Sequence, residues 1–221
     1  AMGWLKKIGL GGMKEEAAPR RLEHPRDLSP GDMVQFEFAS QAEISNKTFT
    51  VTRLWALSTG EGAAHLQIYY GLQEVSRQLR LRVVDEEQIE IAIEVLPDSL
   101  LTIFKQHNII DLLESEEPMG VLKRRKLEKV PESFHPWTAP LYRREGVLLA
   151  YRFEGDYRTQ PIPDEADAGE GGCDYHCLGS DDRQHSVEFR VFDGGRTEVH
   201  LCAVIPRRKL EALWPAPEQS S

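Results

Sequence analysis

Between Leu79 and Val95 the chain runs LRLRVVDEEQIEIAIEV, with apolar and charged side chains in alternation. Successive side chains of a strand point to opposite faces. This period of two therefore predicts strands over Leu79 to Val84 and Gln88 to Val95, each with one buried and one wetted face. Similar runs come earlier. Met33, Val34, Phe36 and Phe38 follow the turn residues Ser29-Pro30-Gly31-Asp32, Thr48 to Leu57 puts Phe49, Val51 and Arg53 on one face, and Ala64 to Tyr70 ends on an aromatic pair. The connections STGEG, YGLQEVS and DEE are short and polar, as in an antiparallel meander. Five short strands in about seventy residues predict a curled sheet or a small barrel.

Pro97-Asp98-Ser99 opens a different pattern. Leu100, Ile103, Phe104, Ile110, Leu112 and Leu113 recur at helical spacing, predicting one amphipathic helix over 97–118, with Asn108 as a point of breakage and Pro118 and Gly120 as its stop. The basic run Lys123-Arg124-Arg125-Lys126 then reads as a solvated strand edge or linker. In the second β region GVLLAYRFEGDY is a strand, the stretch 163–172 is an acidic loop, and HSVEFRVF and RTEVHLCAVI flank Asp193-Gly194-Gly195 as a hairpin. Pro206 to Trp214 is expected to form one or two helical turns. The expected class is mainly β (α+β): a tail and linker over 1–27, β segments over 28–96 and 119–215 bridged by a helix over 97–118, and a tail over 216–221.

Composition narrows the function classes. A chain of 221 residues with 40% hydrophobic and 29% charged positions can bury a real core. Its net charge of −9 opposes nucleic acid phosphates, so no nucleic acid partner is expected. The three cysteines, all in the last fifty residues, form no paired secreted framework, which favours the reducing cytosol. No apolar run reaches the length of a membrane span. The start, AMGWLKKIGLGG, puts Trp4, Leu5 and Ile8 beside Lys6 and Lys7. It reads either as a weak interfacial anchor at the inner membrane surface or as a tail that docks Trp4 on protein.

One chemical constellation stands out. GGCDYHCLGSDD carries Cys173 and Cys177 on what reads as a glycine-flanked loop, and VHLC adds His200 and Cys202 on one face of a strand. These four make a candidate Cys3His zinc set, with His176 or His185 as substitutes. The spacing argues against it, because no CxxC knuckle is present and buried free cysteine is common. Cys177 next to His176 is no better as a nucleophile, since sequence neighbours on an extended chain diverge. Phosphate-loop, nucleophile-elbow, HExxH, dinucleotide and EF-hand patterns are missing from the sequence. No cofactor and no catalytic residue is expected.

Leu28-Ser29-Pro30-Gly31-Asp32 leading a strand, the Phe49-Thr50-Val51 strand, Tyr69-Tyr70-Gly71-Leu72 and the Leu79 to Val83 strand together resemble a bacterial family of β-rich domains of unknown function. The resemblance covers the N-terminal β segment alone. It implies an accessory protein, in some members encoded near phage-shock-type membrane-stress proteins, and brings no catalytic residues. The sequence thus points to a cytoplasmic, non-catalytic interaction or adaptor protein with a protein partner, peripheral at the inner membrane if Trp4 to Ile8 bind lipid. The alternative is a metal-dependent or small-molecule-binding enzyme built on Cys173, Cys177, His200 and Cys202.

Overall fold

In the computed structural model, which describes residues 20–115, 117 and 119–217, the alternating run forms β4 (Arg77–Val83) and β5 (Gln88–Glu94). They pair antiparallel, with Arg80 opposite Ala92 and Leu81 opposite Ile91. Before them come β1 (Met33–Phe36), β2 (Thr48–Ser58) and β3 (Leu66–Glu74). After them come β6 (Val121–Lys123), β7 (Leu141–Glu154), β8 (Gly172–Ser180), β9 (His185–Phe192), β10 (Thr197–Pro206) and β11 (Leu210–Trp214). All lie in one antiparallel sheet of order β11-β1-β2-β3-β4-β5-β10-β9-β8-β7-β6.

Two long-range pairings merge the two β regions into one body. β10 lies along β5, from His200 opposite Glu94 to Pro206 opposite Gln88. The second half of β2, Trp55 to Ser58, pairs with Glu154 to Tyr151 of β7, while its first half pairs with β1. The sheet therefore curls into a ring, though not a true barrel, because β1, β11 and β6 splay off where β2 and β7 part. A bulge between Val51 and Arg53 adds a residue and flips the side-chain alternation of β2. Phe49 and Val51 consequently face outward, and Arg53 joins Trp55 on the inner face instead of sharing theirs.

The larger apolar core lies on the outer face of the ring. Leu79, Leu81, Ile89, Ile91, Val187, Leu201 and Ala203 pack there under Leu28, Ile44, the two helices and Trp137. Asp32, fully buried, accepts from the backbone N–H of Ser29 at 2.6 Å and of Ala216 at 2.8 Å, tying the turn before β1 to the C-terminal segment.

Four local expectations are corrected. The single helix is two, α1 (Pro97–Ile103) and α2 (Gln106–Glu114), broken at Phe104 and not at Asn108. Phe104 is extended and bridges Arg124, and Arg125 caps the end of α1 through Leu101 O and Phe104 O, so part of the basic run is structural rather than solvated. Residues 210–214 are not helical: they add β11 to the open edge of β1, where pairing outweighs local helix preference. GGCDYHCLGSDD is not a loop, because Gly172–Ser180 forms β8 between β7 and β9. The glycine hairpin stands as expected, with Gly194 and Gly195 at φ 86° and 85°.

A further correction decides where the site is. The charged face of β4 and β5 is not wet: Arg80 is 3% exposed and Glu90 4%. That face is the inside of the ring.

Candidate ligand site inside the ring

Side chains from strands that are not neighbours meet on this face, which establishes that it is concave. Arg80 of β4 reaches Glu188 of β9 at 2.7 Å, and the Arg190 guanidinium of β9 lies 6.0 Å from the Tyr69 ring of β3. At one end the interior is apolar: Trp55, Leu57, Tyr69, Ala150, Cys173, Tyr175 and Phe192 form a separate cluster. Trp55 and Tyr69 stack at 5.6 Å, and Gly71 leaves room for this, since a Cβ there would lie 2.8 Å from Arg53 Cγ and 3.2 Å from the Trp55 ring.

The rest of the interior is a charge network. Arg80 lies 4.4 Å over Tyr69, between Glu188 and Glu90, and Arg82 binds Glu90 with two hydrogen bonds, at 3.2 and 2.6 Å. Arg190 shares Glu188 at 3.8 Å. Arg53 and Arg152 sit over Trp55 at 5.1 and 4.8 Å. Burial alone would push the Glu188 carboxyl up, but Arg80, then Arg190 and His200, override it and hold it well below the usual value. For His200 burial and the same two arginines act together, and its imidazole is held far below its usual 6.5.

These two shifts fix the sign of an acid response. A depressed native pKa means that the unfolded chain takes up protons first, so stability present above the unfolded value is lost as pH falls. Loss is expected to begin below about 6.5, from His200 with His176 and His24 in the same direction, and to steepen below 4.5 as Glu188 is reached. Unfolding free energy from urea titrations should decline from pH 7 to 3, with Glu188 alone, lowered from 4.5 to about 2, contributing on the order of 2 kcal/mol of the loss.

Among the described residues the four candidate zinc ligands do not come together. In the paired register Cys177, Glu188 and His200 form one row across β8, β9 and β10, so the Cys177 and His200 backbones stand two strands apart, roughly 10 Å. Cys173 lies four residues along β8 from Cys177, roughly 13 Å away. His176 faces the outer side by strand alternation, near Arg144, and His185 contacts Pro136 O at 3.2 Å. Cys202 instead groups with Glu90 and Glu188, with possible ligand atoms within 4.8 Å of one another. That position already holds a cation, for Arg80 Nη2 is 3.3 Å from Cys202 Sγ, 2.7 Å from Glu188 and 3.6 Å from Glu90. A guanidinium supplies the charge a metal would bring. Trp4, Leu5, Lys6, Lys7 and Ile8 lie outside the described residues.

A pocket of about 120 Å³ opens beside the Trp55 ring, lined by Arg53, Trp55, Arg80, Arg152, Arg190 and His200 among others. Several buried donors here have no hydrogen-bond partner among the described residues: Arg80 Nε and Nη1, Arg152 Nε, Arg190 Nε and Nη2, and Trp55 Nε1. His200 Nδ1 is likewise unpartnered. A larger open groove of about 1060 Å³ runs past Tyr70, but four of its five arginines are engaged, Arg20 with Asp32, Arg26 with Glu86, Arg82 with Glu90 and Arg158 with Asp156, and the fifth, Arg21, is exposed to solvent. Buried donors without partners mark the ring pocket, not the groove, as the place where a ligand gains most.

None of these interior residues stood out in the sequence except His200, the cysteines and Tyr69. A usable signal was there: Arg80 and Arg82 alternate on β4, Glu90 and Glu94 on β5, and Glu188 and Arg190 on β9, so strands carry matching opposite charges on one face. Comparison of the chain with protein-family models, curated proteins and solved structures found no match. Among the described residues no helix is long and apolar enough to cross a membrane.

Proposed function

We propose that this is a non-catalytic binding protein whose ring interior receives a small polar ligand. The observation that carries the reading is the set of buried, unpartnered donors on Arg80, Arg152, Arg190 and Trp55 around one pocket. Such groups cost about 1 to 3 kcal/mol each when left unsatisfied, so a fold that keeps several together gains by filling the space. The thiols support a non-catalytic role. Burial raises all three, Cys177 to about 12, leaving them protonated and weakly nucleophilic near neutrality.

The test is a thermal-shift panel of small neutral, cationic and anionic compounds on the wild type and on Ala92→Leu. Ala92 is buried in the pocket wall between Arg80 and Cys202, so the larger side chain takes the ligand's volume. A compound that raises the wild-type Tm and leaves the variant unmoved supports the reading. A panel without effect on the wild type would end it.

A partner-binding reading has one observation in its favour. Residues 145–150 of β7 lie between its pairings with β6 and β2, and Val147, Leu148 and Leu149 are exposed there along an open edge. We give it second place because an edge alone does not specify what pairs with it.

A further inference from the structure

We propose that the ligand of the ring pocket is an oxyanion, a phosphate or carboxylate group held by Arg152 and Arg190 with Arg80 behind them. This rests on the reading of the interior as a binding site and adds the chemical class.

The charge balance comes first. Arg80, Arg82 and Arg190 share two carboxylates, Glu90 and Glu188. Arg152 spends one bond on Glu154 at the rim, and Arg53, stacked on Trp55, has no carboxylate partner among the described residues. Among the buried and partly buried groups four arginines, Arg80, Arg82, Arg152 and Arg190, face two carboxylates, Glu90 and Glu188, while Glu94 and Glu198 stand at the mouth and Glu154 at the rim. Glu198 is itself engaged by Arg196 at 3.0 Å. Arginines therefore outnumber their counter-charges where solvent is least able to screen them, and an anion relieves this.

Donor chemistry agrees. The unpartnered atoms of the residues that line the pocket are N–H groups of guanidinium or indole, apart from the His200 nitrogen, whose role depends on its tautomer; Glu188 Oε2, behind the lining, also lacks a hydrogen bond but lies 2.7 Å from Arg80 and 3.8 Å from Arg190. Guanidinium forks match the paired oxygens of carboxylate and phosphate, whereas a cationic or donor-rich ligand would face like charge. Crowding shows in the arginines themselves: burial lowers the pKa of Arg152 and, although Glu154 opposes this, Arg53 and Arg190 push it down further.

Size limits the ligand. About 120 Å³ is well below the roughly 300 to 1,000 Å³ of pockets that enclose drug-sized molecules. The pocket takes an inorganic ion or the anionic head of a larger molecule whose remainder passes Arg53 to solvent.

The experiment is calorimetric titration of the intact chain with inorganic phosphate, with acetate and, as the neutral probe, glycerol. Wild type, Arg152→Gln and Arg53→Gln are compared after their Tm values without added anion are checked. Neither variant touches the Arg80–Glu188 pair, so both should fold. Saturable one-to-one binding of phosphate or acetate is expected, weakened about tenfold or more in Arg152→Gln and less in Arg53→Gln. The stronger of the two ions identifies the group. Binding of glycerol or another neutral compound, lost in Ala92→Leu, with no anion binding would keep the site and overturn the anion. Binding equal in wild type and both variants would place the anion elsewhere and overturn it too. If nothing binds, water alone satisfies the donors, and both readings fall.

Discussion

Replacing Glu188 by glutamine is expected to lower the unfolding free energy by about 3 to 5 kcal/mol, because it removes a carboxylate shared by two buried arginines and leaves their charge uncompensated. Glu188 is 2% exposed, 2.7 Å from Arg80 and 3.8 Å from Arg190. Glutamine preserves the shape and one acceptor, so packing changes little and charge accounts for the loss. Urea denaturation at pH 7 measures it. The steep acid decline below 4.5 should flatten in the same variant, since the group responsible is gone.

Trp137→Ala is expected to cost a similar amount, about 3 to 5 kcal/mol, by a different cause. Trp137 is fully buried on the outer face of the ring, in the short turn Glu132–Trp137 that packs on β10. Its Nε1 donates to Glu43 at 2.8 Å, and Gln41 donates to the neighbouring Pro136 O at 3.0 Å. The ring thus carries an outer wrapping in which segments near 41 and 137 clasp each other. Truncation leaves a cavity and orphans the Glu43 contact, while the inner pocket is untouched. Chemical denaturation should report the loss, and any ligand affinity measured for the wild type should persist in the folded variant.

The strands were legible where one face is apolar and the alternation clean, as in Leu79–Val83 and Ile89–Ile93. Gly194 and Gly195 marked the hairpin because the turn requires positive φ. β8 was not legible: its inner face carries Cys173, Tyr175 and Cys177, and its outer face Asp174 and His176, so no hydrophobic period marks it. Phe104 fitted the helical pattern, but its bridge to Arg124 is a tertiary fact. The site was missed for a more general reason. A period of two separates two faces without saying which is wet, and Arg80, Glu90, Glu188 and Arg190 look like surface charges until the pairing of Trp55–Ser58 with Tyr151–Glu154 closes the ring around them.

That closure is what the account depends on, since it alone brings β4 and β9 face to face across two intervening strands. A double-mutant cycle on Arg80→Met and Glu188→Met measures it directly in unfolding free energy. We expect a coupling of at least about 2 kcal/mol, with the double variant more stable than the sum of the two losses implies. A coupling indistinguishable from zero would mean that these side chains do not meet, and with them would go the charged interior and the pocket built on it.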